Sequence, residues 1–401
     1  MLLYLLVSFS TESVLANVLE NSLSQTLSKY YPFAGRLSSS GSYVDCNDEG
    51  VYFSEARIGC KLYDVVKRAP VKEDEEGLGH LFPPHGIWDK LSDDGHSSLM
   101  LVQLNRFTCG GIAIAVSLSH RIGDALTLFS FLIYWAALSH HFPDHQKVLH
   151  LRPYFVPELL LQSDDDLNAF TANAPLPKKH WITKEMMFHN SSIEKLKAHM
   201  EIEDKLRGVG EINYTRNEVV SALIYRCAAA AAAAASAAAA TTNPGVYAKS
   251  VLCQVVNMRP MIDPPLPPTS LGNFINYSFI PTSTENETDL NFLAEQIRKG
   301  KMQLRGSKGM DLTTTLASFE ECARGNKRLY GISSLCNLPM YEMDFGWGKP
   351  VKATIVDTPL PNYITMMDTA NRDGIKAIVG LEEQEMTYFQ ANKELLIYAS
   401  F

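Results

Sequence analysis

The sequence predicts a mixed α/β protein built as two domains. Segments of strand period and of helix period interleave in both halves of the chain, which points to α/β or α+β layering rather than to either pure class. The 401 residues exceed what one hydrophobic core usually organises. The most informative stretch runs from Val102 to Ala136, where an apolar strand turns a tight corner into an apolar helix. Ile112, Ile114, Val116 and Leu118 alternate with small residues, and Leu126, Phe129, Phe131, Leu132 and Trp135 recur at helical spacing. The corner itself is His120-Arg121-Ile122-Gly123-Asp124.

The other elements follow in order. Met1 to Val7 reads as a first strand, and Thr11 to Tyr30 as a helix with Val14, Leu15, Val18, Leu19, Leu23 and Leu27 on one stripe. Val44 to Ala56 reads as two short strands around the hairpin-type turn Asn47-Asp48-Glu49-Gly50. The acidic run Glu73 to Glu76 and the segment Pro83-Pro84-His85-Gly86 read as loops. From His140 to Pro177 the prolines and Asp164-Asp165-Asp166 predict irregular chain, and the domain boundary is placed near Asn190, giving domains 1–190 and 191–401. Trp181 to Phe188 is a candidate strand and Ile193 to Met200 begins a helix. Thr215 to Arg226 is a further helix, with Thr215 and Glu218 at capping-box spacing, and the alanine run Cys227 to Ala240 continues it. Val251 to Arg259 is strand-like, Pro264 to Pro268 a stiff loop, and Phe274 to Ile280 a strand opened by Leu271-Gly272-Asn273. Leu290 to Gln303 is an amphipathic helix. Thr354 to Asp357, Tyr363 to Met367 and Ile375 to Leu381 are strands, and Thr387 to Tyr398 is the last helix.

Composition narrows the function. Hydrophobic content of 46% and charged content of 20% are those of an ordinary globular chain. A formal charge of −8 argues against a nucleic-acid partner, which requires a basic face. No apolar run reads as long enough to span a bilayer, and Met1 to Val7 lacks the basic start and cleavage site of a leader. The seven cysteines (46, 60, 109, 227, 253, 322 and 336) show no metal-ligand spacing, so reduced thiols in the cytoplasm, and no metal, are expected.

The pattern His-x-x-x-Asp occurs at His85–Asp89, His120–Asp124 and His140–Asp144, so the pattern alone selects nothing. Context selects His120, which sits at a strand-to-helix corner with Gly123 available for the turn. An imidazole titrates near neutrality, at about 6.5, and suits general-base work, with Asp124 in position to orient it. There is no serine elbow, no His-Glu-x-x-His and no phosphate loop. A base without a protein nucleophile favours direct attack by a substrate hydroxyl on an activated acyl group. Asp344-Phe345-Gly346-Trp347-Gly348 reads as a tight turn pinned by an aromatic, and Arg259 calls for a carboxylate, Asp124 or Asp344.

Together these residues resemble the plant BAHD acyltransferases, which depend on coenzyme A, over almost the whole chain. The likeness rests on the His120–Asp124 corner, on the Asp344–Gly348 pentapeptide, on Tyr31 to Arg36, and on Val44-Asp45-Cys46, Asn257-Met258-Arg259 and Leu271-Gly272-Asn273 in the family's order. Within the family, Asn257 to Asn273 is most similar to the alkaloid acetyltransferases. The resemblance implies two chloramphenicol-acetyltransferase-like domains, each a mixed sheet flanked by helices, with a solvent channel between them. It implies His120 as the base, no acyl-enzyme, and no permanently bound cofactor. It implies acyl-CoA as co-substrate, best guessed as acetyl-CoA, a small-molecule alcohol as acceptor, and a monomer. It makes Asp124, paired with Arg259, and Asp344, with Gly346, Trp347 and Gly348, scaffolding for the site. Ser333, in Ser333-Ser334-Leu335, keeps a hydroxyl that can steady the oxyanion, while Leu335 replaces a tryptophan common in hydroxycinnamoyl transferases. Lys299, Lys301 and Arg305 are candidates for the coenzyme phosphates, against the reading of a solvated helix face. Two alternatives stay open: a non-catalytic protein of this fold that binds a ligand or partner, and a thioesterase using the same base on water.

Overall fold

The structure is a computed structural model, described for residues 2–9, 15–39, 43–67, 78–83, 98–140, 148, 150–156, 181–208, 210, 212–238, 249–283, 285–306, 312–324, 327–355 and 360–401. The elements in chain order are β1 (Leu2–Phe9), α1 (Leu15–Leu27), β2 (Arg36–Leu37), β3 (Val44–Asp45), β4 (Tyr52–Ile58), α2 (Leu62–Lys67), β5 (Met100–Phe107), β6 (Gly111–Leu118) and α3 (Ala125–His140). Then come β7 (Trp181–His189), α4 (Asn190–Leu206), α5 (Arg216–Ala238), β8 (Ser250–Asn257), β9 (Ile275–Thr282), α6 (Leu290–Gln303), α7 (Leu312–Arg324) and β10 (Arg328–Ser334). The last are β11 (Lys352–Ile355), β12 (Tyr363–Asp368), β13 (Gly374–Glu382), α8 (Glu383–Gln390) and α9 (Lys393–Tyr398).

Two compact units form. The first comprises Met1–Ala169, Pro265–Phe274 and Leu338–Asp357, and the second the remainder. Neither follows a single cut at residue 190. β7 lies before that position, yet its nine residues pair antiparallel with β13, from Trp181 opposite Glu382 to His189 opposite Gly374, and so belong to the second unit. In return, 265–274 and 338–357 belong to the first.

The first unit holds, among its described residues, a mixed sheet in the order β11-β1-β6-β5-β4. β6 is buried along its whole length, and it makes a hairpin with β5 through a turn in which Gly110 takes φ +82°. α3 is apolar nearly all round and is accordingly interior. Trp135 is fully buried on it and donates its indole N–H to Leu19 O (3.2 Å) and Ser22 Oγ (3.1 Å) of α1. Tyr30, Phe33 and Phe131 pack around the same point.

The second unit holds, among its described residues, a sheet in the order β7-β13-β12-β10-β8-β9, with β10 parallel to both neighbours. Leu252, Ile332 and Ile364 on one face of it join the core formed with α4, α5, α6, α8 and α9. α5 begins in the expected capping box: Thr215 Oγ1 accepts from Glu218 N (3.2 Å) while Glu218 Oε2 accepts from Thr215 N (2.8 Å). The alanine run does continue this helix as far as Ala238. An all-alanine surface helix would be anomalous, but Cys227, Ala228, Ala229, Ala231, Ala232 and Ala235 are buried. α5 is also long and apolar enough to cross a bilayer by length and composition, which corrects the expectation that no run is. Of its most apolar window 72% is buried within the fold, as in the core helix of a soluble protein.

Three further expectations change. The segment 44–56 is not a hairpin: β3 pairs with β2, and β4 pairs in parallel with β5. The final helix is two, because Asn392 leaves the helical path and caps the second by accepting from Leu395 N (3.0 Å). α7 and β10 escaped the pattern reading altogether. His85, Asp89, Asp144, Glu73 to Glu76 and Asp164 to Asp166 lie outside the described residues.

Candidate active site

The corner after β6 is built from short-range constraints. Ser119 N bonds Leu99 O (2.9 Å), continuing the hairpin by one residue, and Ile122 N bonds Ser119 O (3.2 Å) to close the turn. A side chain at Gly123 would put its Cβ 2.6 Å from Thr127 Cγ2, so the tight entry into α3 requires glycine there. Asp124, only 3% exposed, caps α3: its Oδ1 accepts from Thr127 N at 2.9 Å. Its Oδ2 accepts from Phe274 N at 3.0 Å, and Asp124 N donates to Gly272 O at 3.3 Å. The carboxylate thus clamps two backbone segments, and its influence on the imidazole is electrostatic.

Asn273 completes the corner by donating its side-chain N–H to His120 O at 2.6 Å. It sits 153 residues further on and was visible in sequence only as part of Leu271-Gly272-Asn273. His120 itself is exposed, so a water-sized group reaches it, yet enough protein surrounds the ring to desolvate it. That desolvation holds its pKa below the ordinary 6.5, with Asp124 and Asn273 pulling the other way. The result is a neutral imidazole at neutral pH, on a rigid corner, able to accept a proton.

The pentapeptide lies at the other end of α3. Asp344 Oδ1 accepts from Gly346 N (2.8 Å) and Gly348 N (2.9 Å), and is 3.5 Å from His140 Nδ1 at the helix's last residue. Both glycines have positive φ, +107° and +97°, which the turn demands. Phe345 stacks on Trp347 (5.5 Å) and meets Trp135 edge-on (5.0 Å). The 16 residues of α3 put this turn about 24 Å along the helix from the His120 corner.

In the second unit, Arg259 is 1% exposed just past β8, with Nη1 3.3 Å from Asn257 Oδ1. Ser333 is half-buried on β10, opposite Val255 of β8. Leu335 is buried and bonds Met366 O through its N–H (2.7 Å). Lys299 pairs with Glu295 at 2.8 Å on the solvent side of α6, in keeping with a solvated helix face. The structure therefore gathers His120, Asp124 and Asn273 at one corner and Asp344, Gly346, Trp347 and Gly348 at another point.

Comparison with known proteins is in accord with this architecture. A profile described as the Transferase family matches residues 1–396. Akuammiline synthase 1 of Alstonia scholaris is 37% identical over 95% of this chain and 85% of its own. An N-malonyltransferase of Strychnos nux-vomica is 34% identical over 98% of this chain and 80% of its own. Deacetylvindoline O-acetyltransferase of Catharanthus roseus is 32% identical over 97% and 86%. Among solved structures, the crystal structure of vinorine synthase superposes with a TM-score of 0.76 at 28% identity, over 99% of this chain and 90% of that one. With its family profile, its relatives and its fold in agreement, the chain belongs to the Transferase family, the plant BAHD acyltransferases.

Proposed function

We propose that this protein transfers an acyl group, acetyl in the first instance, from acyl-coenzyme A to a hydroxyl of an alkaloid-type alcohol, acting as a cytoplasmic monomer. The observation that carries the reading is His120: exposed, desolvated enough to stay neutral, and fixed by Asn273 through its backbone carbonyl. The imidazole accepts the acceptor's hydroxyl proton as the oxygen attacks the thioester carbonyl. The C–S bond then breaks, and the imidazolium returns the proton to the departing thiolate, so no acyl-enzyme forms. The O-acetyltransferase relative supports acetyl; the N-malonyltransferase makes malonyl-CoA and amine acceptors the comparison to run.

The test is turnover with acetyl-CoA and a panel of alkaloid alcohols, read as coenzyme A release and product mass. His120→Ala should lose about 10²–10⁴-fold in kcat with the circular dichroism of the folded protein retained. A fully active variant refutes the base. Release of coenzyme A without any acceptor would replace the proposal by a thioesterase.

A further inference from the structure

The chain is bolted to the first turn of α3 on both sides of Asn273. Thr127 Oγ1 donates to Gly272 O at 2.8 Å and accepts from Gly272 N at 3.1 Å. Asp124 N donates to the same Gly272 O, and Asp124 Oδ2 holds Phe274 N at 3.0 Å. Both neighbours of Asn273 are thus fixed through their backbone, so its side chain meets the His120 corner from a rigid base.

The 2.6 Å contact settles which way the amide points. A backbone carbonyl oxygen only accepts, so the atom facing His120 O is the amide nitrogen, and Oδ1 is turned to the other side. That oxygen is buried, and among the described residues nothing donates to it in the resting geometry. A buried acceptor left empty is costly and calls for a reason. The amide also acts on the imidazole, in the sense that favours the ring's proton. An amide N–H would oppose that proton, so the acting atom is Oδ1.

We infer that Asn273 is a positioning residue for the base: its N–H anchors the His120 carbonyl, and its unfilled Oδ1 is the acceptor reserved for a ring N–H. The inference rests on the acyltransferase reading above. A neutral imidazole carries one N–H and one lone pair, on different nitrogens. An acceptor on one side keeps the N–H there and leaves the other nitrogen's lone pair for the substrate. When that nitrogen takes the hydroxyl proton, the N–H facing Oδ1 stays in place and becomes part of an imidazolium. Its bond to Oδ1 then strengthens, as charge-assisted bonds do. The amide holds the protonated ring better than the neutral one, and that difference favours proton transfer. Asp124, the charged group among the described residues that acts on the ring, does so electrostatically while its oxygens hold Thr127 N and Phe274 N.

The test compares Asn273→Ala with Asn273→Asp, which keeps an acceptor at the same reach and adds charge. The clamps at Gly272 and Phe274 are made by backbone and survive both changes, so folded protein is expected, with melting as the check. Asn273→Ala should lower kcat about 3- to 10-fold, the worth of one ordinary hydrogen bond, with the KM for acetyl-CoA unchanged. The acid limb of kcat/KM should move to lower pH in Asn273→Ala, which loses an influence favouring the proton, and to higher pH in Asn273→Asp. A general loosening of the corner would not move the two variants in opposite directions. A second readout needs no turnover. With the histidine ring nitrogens isotope-labelled and His120 assigned by difference from His120→Ala, its NMR titration should shift in the same two directions. The neutral ring should be one tautomer in the wild type and a mixture in Asn273→Ala. Unmoved titrations, or shifts of one sign in both variants, overturn the inference while leaving acyl transfer intact. A mixture of tautomers in the wild type overturns it without any variant. Opposite shifts in a protein that transfers to no acceptor would sink the transfer reading and sustain this one.

Discussion

At His120 the side chain meets solvent while the protein around it weakens its hold on a proton. The direction fixes the pH profile. A lowered pKa keeps the ring neutral down to a pH below 6.5, and the neutral form is the one that accepts a proton. The acid limb of kcat/KM should therefore rise with pH through a value below 6.5 and be flat at neutrality. The linked stability has the same sign. The unfolded chain binds the proton more readily, so this group's contribution falls as pH drops below 6.5 and is fully present above it. An acid limb centred above 6.5 contradicts the desolvated site. The choice of His120 was legible in sequence because a polar residue interrupts an apolar strand-to-helix run. Its partner Asn273 was not, because no local pattern links positions 153 residues apart.

The corner between β6 and α3 works as one element, and Asp124 is its keystone. One oxygen caps the helix and the other holds Phe274 N, so a single carboxylate fixes both the start of α3 and the segment that carries Asn273. Its bonds to Thr127 N and Phe274 N hold backbone, and its effect on the imidazole is electrostatic. Asp124→Ala should cost about 2–4 kcal/mol, a cap plus a charge-assisted bond, measured by chemical denaturation. It should also reduce kcat, since the His120 corner loses its anchor, while Asp124→Asn keeps one acceptor and loses less. Unfolding of Asp124→Ala at the wild-type denaturant concentration would remove the keystone role. Elsewhere, legibility followed how local each signal is. Leu290 to Gln303 is found to the residue because its period is self-contained and Asp289 caps it at Phe292 N. The 44–56 segment misleads because alternation shows that a strand exists but not which strand it joins, and β4 finds its partner 49 positions further on. β10 is missed because Gly331 interrupts its apolar pattern, and that interruption is what admits Tyr363.

On the scale of the whole molecule, the chain passes back and forth between two compact units, so one sequence boundary does not describe it. The segment 338–357 contributes β11 to the first sheet, pairing with β1, and also carries the Asp344 turn against α3. The turn therefore holds the far end of the same helix whose near end carries the His120 corner. Its aromatic contact to buried Trp135 extends the first unit's core, whereas the His140–Asp344 pair is largely solvated and contributes little. What Asp344→Ala removes is the acceptor for two turn N–H groups, worth about 1–3 kcal/mol together. In a unit of this size that corresponds to roughly 2–4 °C in melting temperature per kcal/mol. The variant should melt several degrees earlier and accumulate less soluble protein, while the fraction that folds keeps the wild-type kcat and KM. Loss of turnover at an unchanged melting temperature would mean that the turn communicates with the reacting groups, and would move Asp344 from the scaffold into the machinery.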